Sequence, residues 1–446
     1  MIRIYDTLTN SNKDFQTVSG GKDVKMYSCG LTVQDSPHIG HMRALITADI
    51  VRRVLIKEGY DVFSVYNFTD IDDKLIEKMK NGEDYRILAQ RNIDEFMKYM
   101  KIMNVLDFNV YPRATNHIQE IIELIDSLLK KGFAYESEGD VYFRVSKFKD
   151  YGKLSGKNTK DLIEGKRVEI NENKESPLDF VLWKSAKDKE PYWHSPFGKG
   201  RPGWHIECSA MSIKYLGETF DIHTGGEDLI FPHHENEIAQ SECSTGKQFA
   251  KFWVHNGMVN LKGEKMSKSI GNVFKAKDIL SKWHPNVVRL YLLKTQYRKS
   301  IEFSEERLDE AQSAHSRMRN ALNGEKKNAD KDFYFEKFSD ALRDDFNTPQ
   351  AIGYIFDAVN EINQNSPDSP QIRSEILKML DILGFKNEEA TKQSHDAELI
   401  ELLMDVREDA RKDKNYRLSD KIRDRLKDMK VILSDSKEGV KWKTED

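Results

Sequence analysis

The first part of the chain alternates between β-rich and helix-periodic segments. Residues 24–33 (VKMYSCGLTV) and 61–68 (DVFSVYNF) are rich in β-branched and aromatic side chains, which predicts two strands. Between them, Pro37 opens a segment with apolar residues at helical spacing that runs to about Lys57 and stops at Gly59. A strand, a helix and a second strand in this order form a βαβ unit, which predicts a parallel sheet.

The pattern changes after the second strand. Residues 118–132 place apolar side chains on one face and end in glycine, which predicts an amphipathic helix. The following FAYESEGDVYFRV predicts a hairpin that turns at Gly139. Residues 156–180 are polar and rich in turn formers, as expected of an inserted subdomain.

Helical spacing dominates the chain from about residue 305 onward. Thr348 followed by Pro349 predicts a helix cap and a first-turn proline. Polar stretches rich in turn formers predict linkers at 324–332, 365–371 and 386–396. The coarse plan is an α/β front half, a helical middle and a small C-terminal piece.

Bulk composition indicates a polar globular protein. The 446 residues predict two to four domains, and no apolar run approaches the ~18 residues that a membrane span needs. The segment MIRIYDTLTN has no basic stretch followed by an apolar one, so we expect no secretion. Three cysteines (Cys29, Cys208 and Cys243) are an odd, sparse count that favours a reducing cytosol over a disulfide framework.

PHIGH, residues 37–41, lies where the first predicted strand gives way to the helix. A helix N-terminus favours an anion, and His38 and His41 are three residues apart on nearly one face. Gly40 between them allows a ligand to approach the backbone. A polar helix start with two solvated histidines explains these residues equally well.

GEKMSKSIGN, residues 263–272, carries Lys265 and Lys268 between glycines. Two ammonium groups on a loop suit a polyphosphate whose charge shifts during reaction, because interactions that strengthen in the transition state accelerate chemistry. An ordinary basic surface loop is the alternative. PHIGH and KMSKS together, more than 200 residues apart, are much more specific than either alone.

FPHHENE, residues 231–237, crowds two histidines and two acids behind a proline. If a helix begins near Pro232, His233 and Glu237 share one face and form half of a tetrahedral metal site. Cys29 and Cys208 could complete a set suited to zinc. The scattered positions lack the close spacing of zinc ribbons, so buried thiols beside a solvated acidic helix are the alternative.

The pair HIGH and KMSKS resembles the signature of class I aminoacyl-tRNA synthetases. The resemblance implies a Rossmann-like catalytic domain that converts a carboxylate and ATP into an acyl-adenylate and pyrophosphate, then transfers the acyl group to the 3′-end of tRNA. It implies that His38 and His41 contact ATP phosphates. Lys265 and Lys268 would stabilise the leaving pyrophosphate.

A longer set of segments is similar, in the same order, to the cysteinyl-tRNA synthetases: YSCG, HIGH, NFTDIDDK, RPGWHIECSAM, FPHHENEIAQ, GEKMSKSIGN and DDFNTP. The resemblance implies one zinc ion per chain, held by Cys29, Cys208, His233 and Glu237. Zinc would select a cysteine thiolate over the harder serine hydroxyl. A hydrophobic pocket separates such near-isosteres by only ~1–3 kcal/mol.

The resemblance also implies binding residues and partners. The amino-acid pocket would contain Cys29, Gly30, Thr69, Trp204 and His223. ATP, with Mg²⁺, would be bound by His38, Gly40, His41, Gly225, Gly226, Asp228 and Lys268. L-cysteine and tRNA-Cys would be the other substrates of a cytoplasmic monomer that has no membrane partner.

The predicted fold is α/β: a Rossmann-like parallel-sheet catalytic domain with an inserted subdomain, then an α-helical bundle and a small anticodon-binding domain. The expected boundaries are 1–115 and 201–260 for the two halves of the catalytic domain, 116–200 for the connective insertion, 261–310 for the KMSKS loop and stem-contact region, 311–390 for the bundle and 391–446 for the anticodon-binding domain.

The C-terminal segment is locally basic within a protein of net charge −4. Residues 411–430 carry nine basic and four acidic side chains, and Trp442 lies between lysines as a stacking surface for a base. A solvated amphipathic helix is the alternative. Two rival functions are a cysteine ligase acting on an amino sugar and a non-catalytic zinc-dependent RNA-binding protein. The basic C-terminal segment argues against the first, and the intact HIGH and KMSKS motifs argue against the second.

Overall fold

A computed structural model describes residues 1–79, 82–158, 172–261, 264–265, 274–328, 333–386, 388–413, 415–428, 431–436 and 439–444. The chain comprises two compact units, Met1–Phe385 and Lys386–Asp446. Within the described ranges, no helix combines the length and apolar character that crossing a bilayer requires. The six-part division expected from the sequence stays a prediction.

Strands and helices are numbered in chain order. The strands are β1 (Arg3–Asp6), β2 (Ser11–Asp14), β3 (Asp23–Ser28), β4 (Asp61–Tyr66), β5 (Ala134–Ser137), β6 (Asp140–Phe143), β7 (Phe180–Ser185), β8 (Trp193–Ser195), β9 (Gly198–Pro202), β10 (Phe220–Gly226), β11 (Ala250–Asn256), β12 (Val259–Leu261), β13 (Glu264–Lys265), β14 (Ile301–Glu302), β15 (Val431–Ser436) and β16 (Gly439–Thr444). The helices are α1 (Ile39–Lys57), α2 (Asp73–Met79), α3 (Tyr85–Ile102), α4 (Ile118–Lys130), α5 (Trp204–Leu216), α6 (Glu235–Thr245), α7 (Ala276–Lys282), α8 (Pro285–Leu293), α9 (Glu305–Ala321), α10 (Phe335–Arg343), α11 (Thr348–Asn363), α12 (Ser369–Ile382), α13 (Glu388–Lys412) and α14 (Tyr416–Asp428).

A parallel sheet with strand order β11-β10-β3-β4 lies at the centre of the first unit, which confirms the sheet predicted from the βαβ pattern. Helix α1 connects β3 to β4 and buries its apolar residues in the largest hydrophobic core. Strand β3 ends at Ser28, earlier than the predicted strand over 24–33. The carboxyl ends of parallel strands share one edge, so the residues that follow β3 and β10 are brought together there.

The predicted insertion contains a separate antiparallel sheet with strand order β5-β6-β7-β9-β8. The expected hairpin is present, since β5 and β6 pair on either side of Gly139, whose φ is 83°. Helix α4 buries Ile121, Ile125 and Leu128 in a second hydrophobic cluster with this sheet. Of the polar stretch 156–180, residues 159–171 lie outside the described part of the chain.

The helical part that follows corrects the predicted cap and two predicted linkers. Asn347 is the cap of α11, because its side-chain oxygen accepts a hydrogen bond from the Gln350 N–H at 3.2 Å; Thr348 instead begins the helix. Helix α12 begins at Ser369 within the predicted linker 365–371, since its proline suits a first turn. The stretch 386–396 contains the start of α13, because glutamate, alanine and lysine favour helix.

The second unit consists of α13, α14 and the antiparallel hairpin of β15 and β16. Ile400, Leu426 and Val431 form its small core. The backbone of Trp442 lies in β16 and pairs with Leu433.

Candidate metal centre and nucleotide site

Two thiols, an imidazole and a carboxylate converge at the carboxyl edge of the parallel sheet. Cys29 follows β3 directly, Cys208 lies in the second turn of α5, and His233 and Glu237 lie on either side of the start of α6. One ligand atom from each of these four residues lies within 4.8 Å of the others. The fold thus brings together residues that are up to about 200 positions apart in the sequence.

The spacing of these atoms matches a tetrahedral metal site. Cys29 Sγ lies 3.7 Å from Cys208 Sγ and 3.4 Å from Glu237 Oε1, and His233 Nε2 lies 3.1 Å from Glu237 Oε1. Two thiolates at ~2.3 Å from one tetrahedral zinc ion would be about 3.8 Å apart. Cys208, His233 and Glu237 are buried and Cys29 is half-buried.

A second group of four side chains also meets the distance requirement, namely Cys29, His223, His234 and Glu237. It shares Cys29 and Glu237 with the first group but has one thiol rather than two. Zinc prefers soft thiolate donors, and His234 Nδ1 is already within 2.8 Å of His255 Nε2. Donor chemistry therefore favours the first group for zinc.

Burial and hydrogen bonds shift the pKa values of the carboxyl and thiol groups in the cluster. Burial opposes ionisation of Glu237, but contacts with His223 and His233 outweigh it and hold the Glu237 pKa at about 2. The Cys29 thiol donates to Cys208, which together with His233 lowers the Cys208 pKa to about 6 against the effect of burial. Burial and the neighbouring Cys208 raise the pKa of Cys29. The contacts therefore favour the thiolate form at Cys208 and the thiol form at Cys29.

Three side chains beside the metal-ligand cluster are not among the site residues predicted from the sequence. His205 Nδ1 lies 2.8 Å from His233 Nδ1, and Trp253 stacks on His223 with ring centroids 4.4 Å apart. His255 contacts His234, and burial lowers the His255 pKa to about 3. The signal for His205 is its position three residues before Cys208, which places both on one helix face.

The residues predicted for an amino-acid pocket divide into two groups. Trp204 is 42% exposed, and its ring centroid lies 4.3 Å from that of His233, so it lies at the surface over the cluster. His223 and Thr69 are buried: His223 Nε2 lies 2.9 Å from Glu237 Oε2, and the Thr69 hydroxyl donates to Glu207 Oε2 at 2.9 Å.

Gly30, the residue after Cys29, has no room for a side chain. A Cβ atom at Gly30 would lie 1.6 Å from the main-chain oxygen of Asn67. The Gly30→Ala substitution must therefore displace backbone, and we expect it to lower the free energy of unfolding by about 1–3 kcal/mol or more. Urea unfolding measures this change. Gly353→Ala is the control, since nothing lies within 4 Å of a Cβ there, and an equal loss in both variants would contradict the expectation.

PHIGH forms the turn into α1, as predicted. The helix begins at Ile39 with His38 as its cap, and Gly40 is its second residue. The His38 N–H donates to His41 Nδ1 at 3.2 Å, and the two imidazoles stack with centroids 3.6 Å apart. No acidic residue lies in the first turn, so no side-chain carboxylate neutralises the positive end of the helix dipole there.

The end of β10 supplies the other predicted nucleotide contacts. A Cβ at Gly225 would lie 2.5 Å from Cε1 of the buried His234, so this position requires glycine. A Cβ at Gly226 would lie 2.6 Å from Asp228 Oδ1, the end of a side chain that can move aside. Asp228 is exposed. The backbone of Lys265 lies in β13, paired with β12, whereas Lys268 lies outside the described residues.

Two family models and solved structures match this chain. A family model described as the tRNA synthetases class I (C) catalytic domain matches residues 15–313, and the DALR domain matches residues 337–385. Methionyl-tRNA synthetase from Mycobacterium tuberculosis, solved with methionyl-adenylate, has a TM-score of 0.59 over 81% of this chain and 90% of that chain, at 17% identity. That likeness shows the fold alone. Fold and family models together define a class I tRNA synthetase.

Full-length relatives narrow the class. A cysteine–tRNA ligase from Geobacter sp. (strain M21) is 45% identical over 477 residues and covers 99% of both chains. Another, from Caldicellulosiruptor saccharolyticus, is 47% identical over 461 residues with the same coverage, and one from Thermococcus onnurineus is 45% identical. The chain belongs to the cysteine–tRNA ligase family.

Proposed function

We propose that this chain joins L-cysteine to ATP as cysteinyl-adenylate, releases pyrophosphate, and transfers the cysteinyl group to the 3′-end of tRNA-Cys. The observation that carries this proposal is the convergence of Cys29, Cys208, His233 and Glu237 in a chain that matches cysteine–tRNA ligases over its full length. Those relatives favour tRNA over an amino sugar as the acceptor.

The four converging side chains fit one zinc ion per chain. Their donors are two sulfurs, one nitrogen and one oxygen, and their separations match a tetrahedral site. When bound, zinc supplies a soft acceptor that favours a substrate thiolate over a hydroxyl. His223 holds the carboxylate of Glu237 and His205 contacts His233, so both histidines orient ligands before any metal enters.

The remaining assignments extend the predictions made from the sequence. His38, Gly40 and His41 at the start of α1 contact the phosphates of ATP, which binds together with Mg²⁺, while Gly225, Gly226 and Asp228 face the adenosine. Lys265 and Lys268 stabilise the leaving pyrophosphate. Gly30, Thr69, Trp204 and His223 form the amino-acid pocket around Cys29. The second unit binds the anticodon of tRNA, and the enzyme acts as a cytoplasmic monomer.

Amino-acid-dependent ATP–pyrophosphate exchange tests the proposed reaction across all twenty amino acids. We expect cysteine alone to support exchange, with serine lower by about 10⁴-fold, which corresponds to roughly 5–6 kcal/mol. Radiolabelled cysteine should then appear on tRNA and not on a glucosaminyl-inositol acceptor. Zinc-replete protein that shows no exchange with cysteine would refute the proposed function.

A further inference from the structure

Arg43 is a buried cation on α1, two residues after His41, and the reaction proposed above assigns it no role. Its side chain is 2% exposed. The guanidinium donates to the main-chain oxygens of Met258 at 3.0 Å and Tyr297 at 3.1 Å, and also contacts those of Gln296 and Lys299. Met258 precedes β12, whereas the other three acceptors precede β14. A single side chain therefore fastens two separate stretches to the helix that begins at PHIGH.

Glu227 holds the same junction from the end of β10. Its Oε1 accepts a hydrogen bond from the Met258 N–H at 3.0 Å and lies 3.4 Å from the hydroxyl of Ser300. Met258 is thus fixed at its N–H by Glu227 and at its carbonyl by Arg43. Glu227 directly follows Gly226, so this contact links the predicted adenosine-facing loop to β12.

The main chains at this junction are in close contact. A Cβ at Gly257 would lie 2.6 Å from the carbonyl carbon of Lys299 and 2.7 Å from the nitrogen of Ser300. Burial lowers the pKa of Arg43 to about 10, and the nearby Glu227 carboxylate opposes that change. Glu227 therefore also compensates electrostatically for the buried guanidinium.

The residues that follow the KMSKS sequence are hydrogen-bonded to the start of α1. The Ile39 N–H donates to the Phe274 carbonyl at 3.1 Å, and the Ala276 N–H donates to the Pro37 carbonyl at 2.8 Å. Residues 258–261 and 274–276 precede and follow GEKMSKSIGN in the sequence. Both flanking stretches are therefore fixed relative to PHIGH, the first through Arg43 and Glu227.

We propose that Arg43 and Glu227 are positioning residues for adenylation, which hold β12 and the residues before β14 in place against the start of α1 and against residues 223–228 (HTGGED) at the end of β10. The inference rests on the proposed function, because it needs ATP chemistry at these elements. Both residues act through main-chain groups, so their loss should slow the chemical step without weakening the binding of cysteine or ATP.

The variants Glu227→Ala and Glu227→Gln test this proposal by ATP–pyrophosphate exchange with cysteine. We expect the alanine variant to lower kcat by about 10-fold to 100-fold, because small misplacements of reacting groups cost that much. KM for cysteine and for ATP should change by less than roughly threefold. Glutamine keeps an acceptor for the Met258 N–H and should restore most of the lost kcat.

The matched control is Glu218→Ala, which removes an exposed acid that pairs with Lys247 near the other end of β10 and should keep the wild-type kcat. Zinc content of all variants should equal that of the wild type. The proposal is overturned by an alanine variant with wild-type kcat, or by one whose only change is a higher KM for ATP. Failure of the wild-type protein to activate cysteine would instead refute the proposed function.

Arg43→Lys is the second variant. Lysine keeps the positive charge but lacks the planar fork that reaches several carbonyl oxygens. In protein that retains wild-type circular dichroism and zinc content, we expect kcat to fall at least as far as in Glu227→Ala. A folded Arg43→Lys protein with unchanged kcat would contradict the proposal; if this variant does not fold, the Glu227 pair alone decides.

Discussion

Replacing Cys208 with serine is expected to remove bound zinc and to lower cysteine-dependent pyrophosphate exchange by roughly 10²-fold or more. Cys208 Sγ is one of two thiols that lie 3.7 Å apart, and a serine hydroxyl is a harder donor that ionises less readily. Even partners in the outer shell of a metal site contribute about 10–100-fold to metal affinity, so a direct ligand should contribute at least as much. Metal analysis and exchange kinetics on the same preparation measure both effects.

The control for this prediction is Cys243→Ser. Cys243 is also buried, but it packs in the hydrophobic cluster with α4 and the antiparallel sheet, and burial raises its pKa to about 12. The Cys243→Ser protein should retain about one equivalent of zinc and near-normal cysteine-dependent pyrophosphate exchange. A Cys208→Ser protein that keeps its zinc and its activity would contradict the ligand assignment.

Replacing Asp49 with asparagine is expected to lower the free energy of unfolding of the first unit by about 3–5 kcal/mol. Asp49 is fully buried in α1 and accepts hydrogen bonds from Arg53 Nε at 2.9 Å and from Arg289 Nη1 at 2.8 Å. Arg289 is also buried, so loss of the carboxylate leaves its charge uncompensated. Urea unfolding followed by a probe in the first unit measures the change.

An exposed ion pair provides the comparison for Asp49. Glu218→Gln removes the pair with Lys247, whose side chains are 48% and 61% exposed, and should cost less than about 1 kcal/mol. Equal costs for the buried and exposed substitutions would contradict the role of Asp49 as the counter-charge of Arg289.

Local patterns predict the elements of the catalytic half well. The helix from PHIGH to Lys57 and the hairpin at Gly139 depend on short-range signals, namely apolar spacing, proline and glycine, and both are present. The predictions for the cap of α11 and for the stretch 386–396, where α13 begins at Glu388, are wrong for a related reason. Asn347 and Thr348 are adjacent, and either residue type can cap a helix. The polar residues of 386–396 are typical of a solvated linker, but several of them also favour helix.

The arrangement of the site depends on long-range pairing that spacing alone does not reveal. The Cys29 N–H donates to the Thr224 carbonyl across neighbouring parallel strands, and this contact places the first thiol near α5 and α6. Donor chemistry suggests that Cys29 and Cys208 could join His233 and Glu237, but their scattered spacing leaves buried thiols as an alternative, and it is the family resemblance that favours a joint site. The supporting roles of His205, His255 and Arg43 follow from contacts to residues distant in sequence. Helical spacing places His205 beside Cys208, but no local pattern predicts the contacts of His255 and Arg43.

X-ray absorption at the zinc K-edge of the purified protein tests the central claim most directly, because it counts the sulfur atoms around the metal. We predict one zinc ion per chain with two sulfur neighbours at about 2.3 Å and nitrogen or oxygen neighbours at about 2.0–2.2 Å. A spectrum with a single sulfur neighbour, as Cys29, His223, His234 and Glu237 would produce, or protein without zinc, would contradict the account.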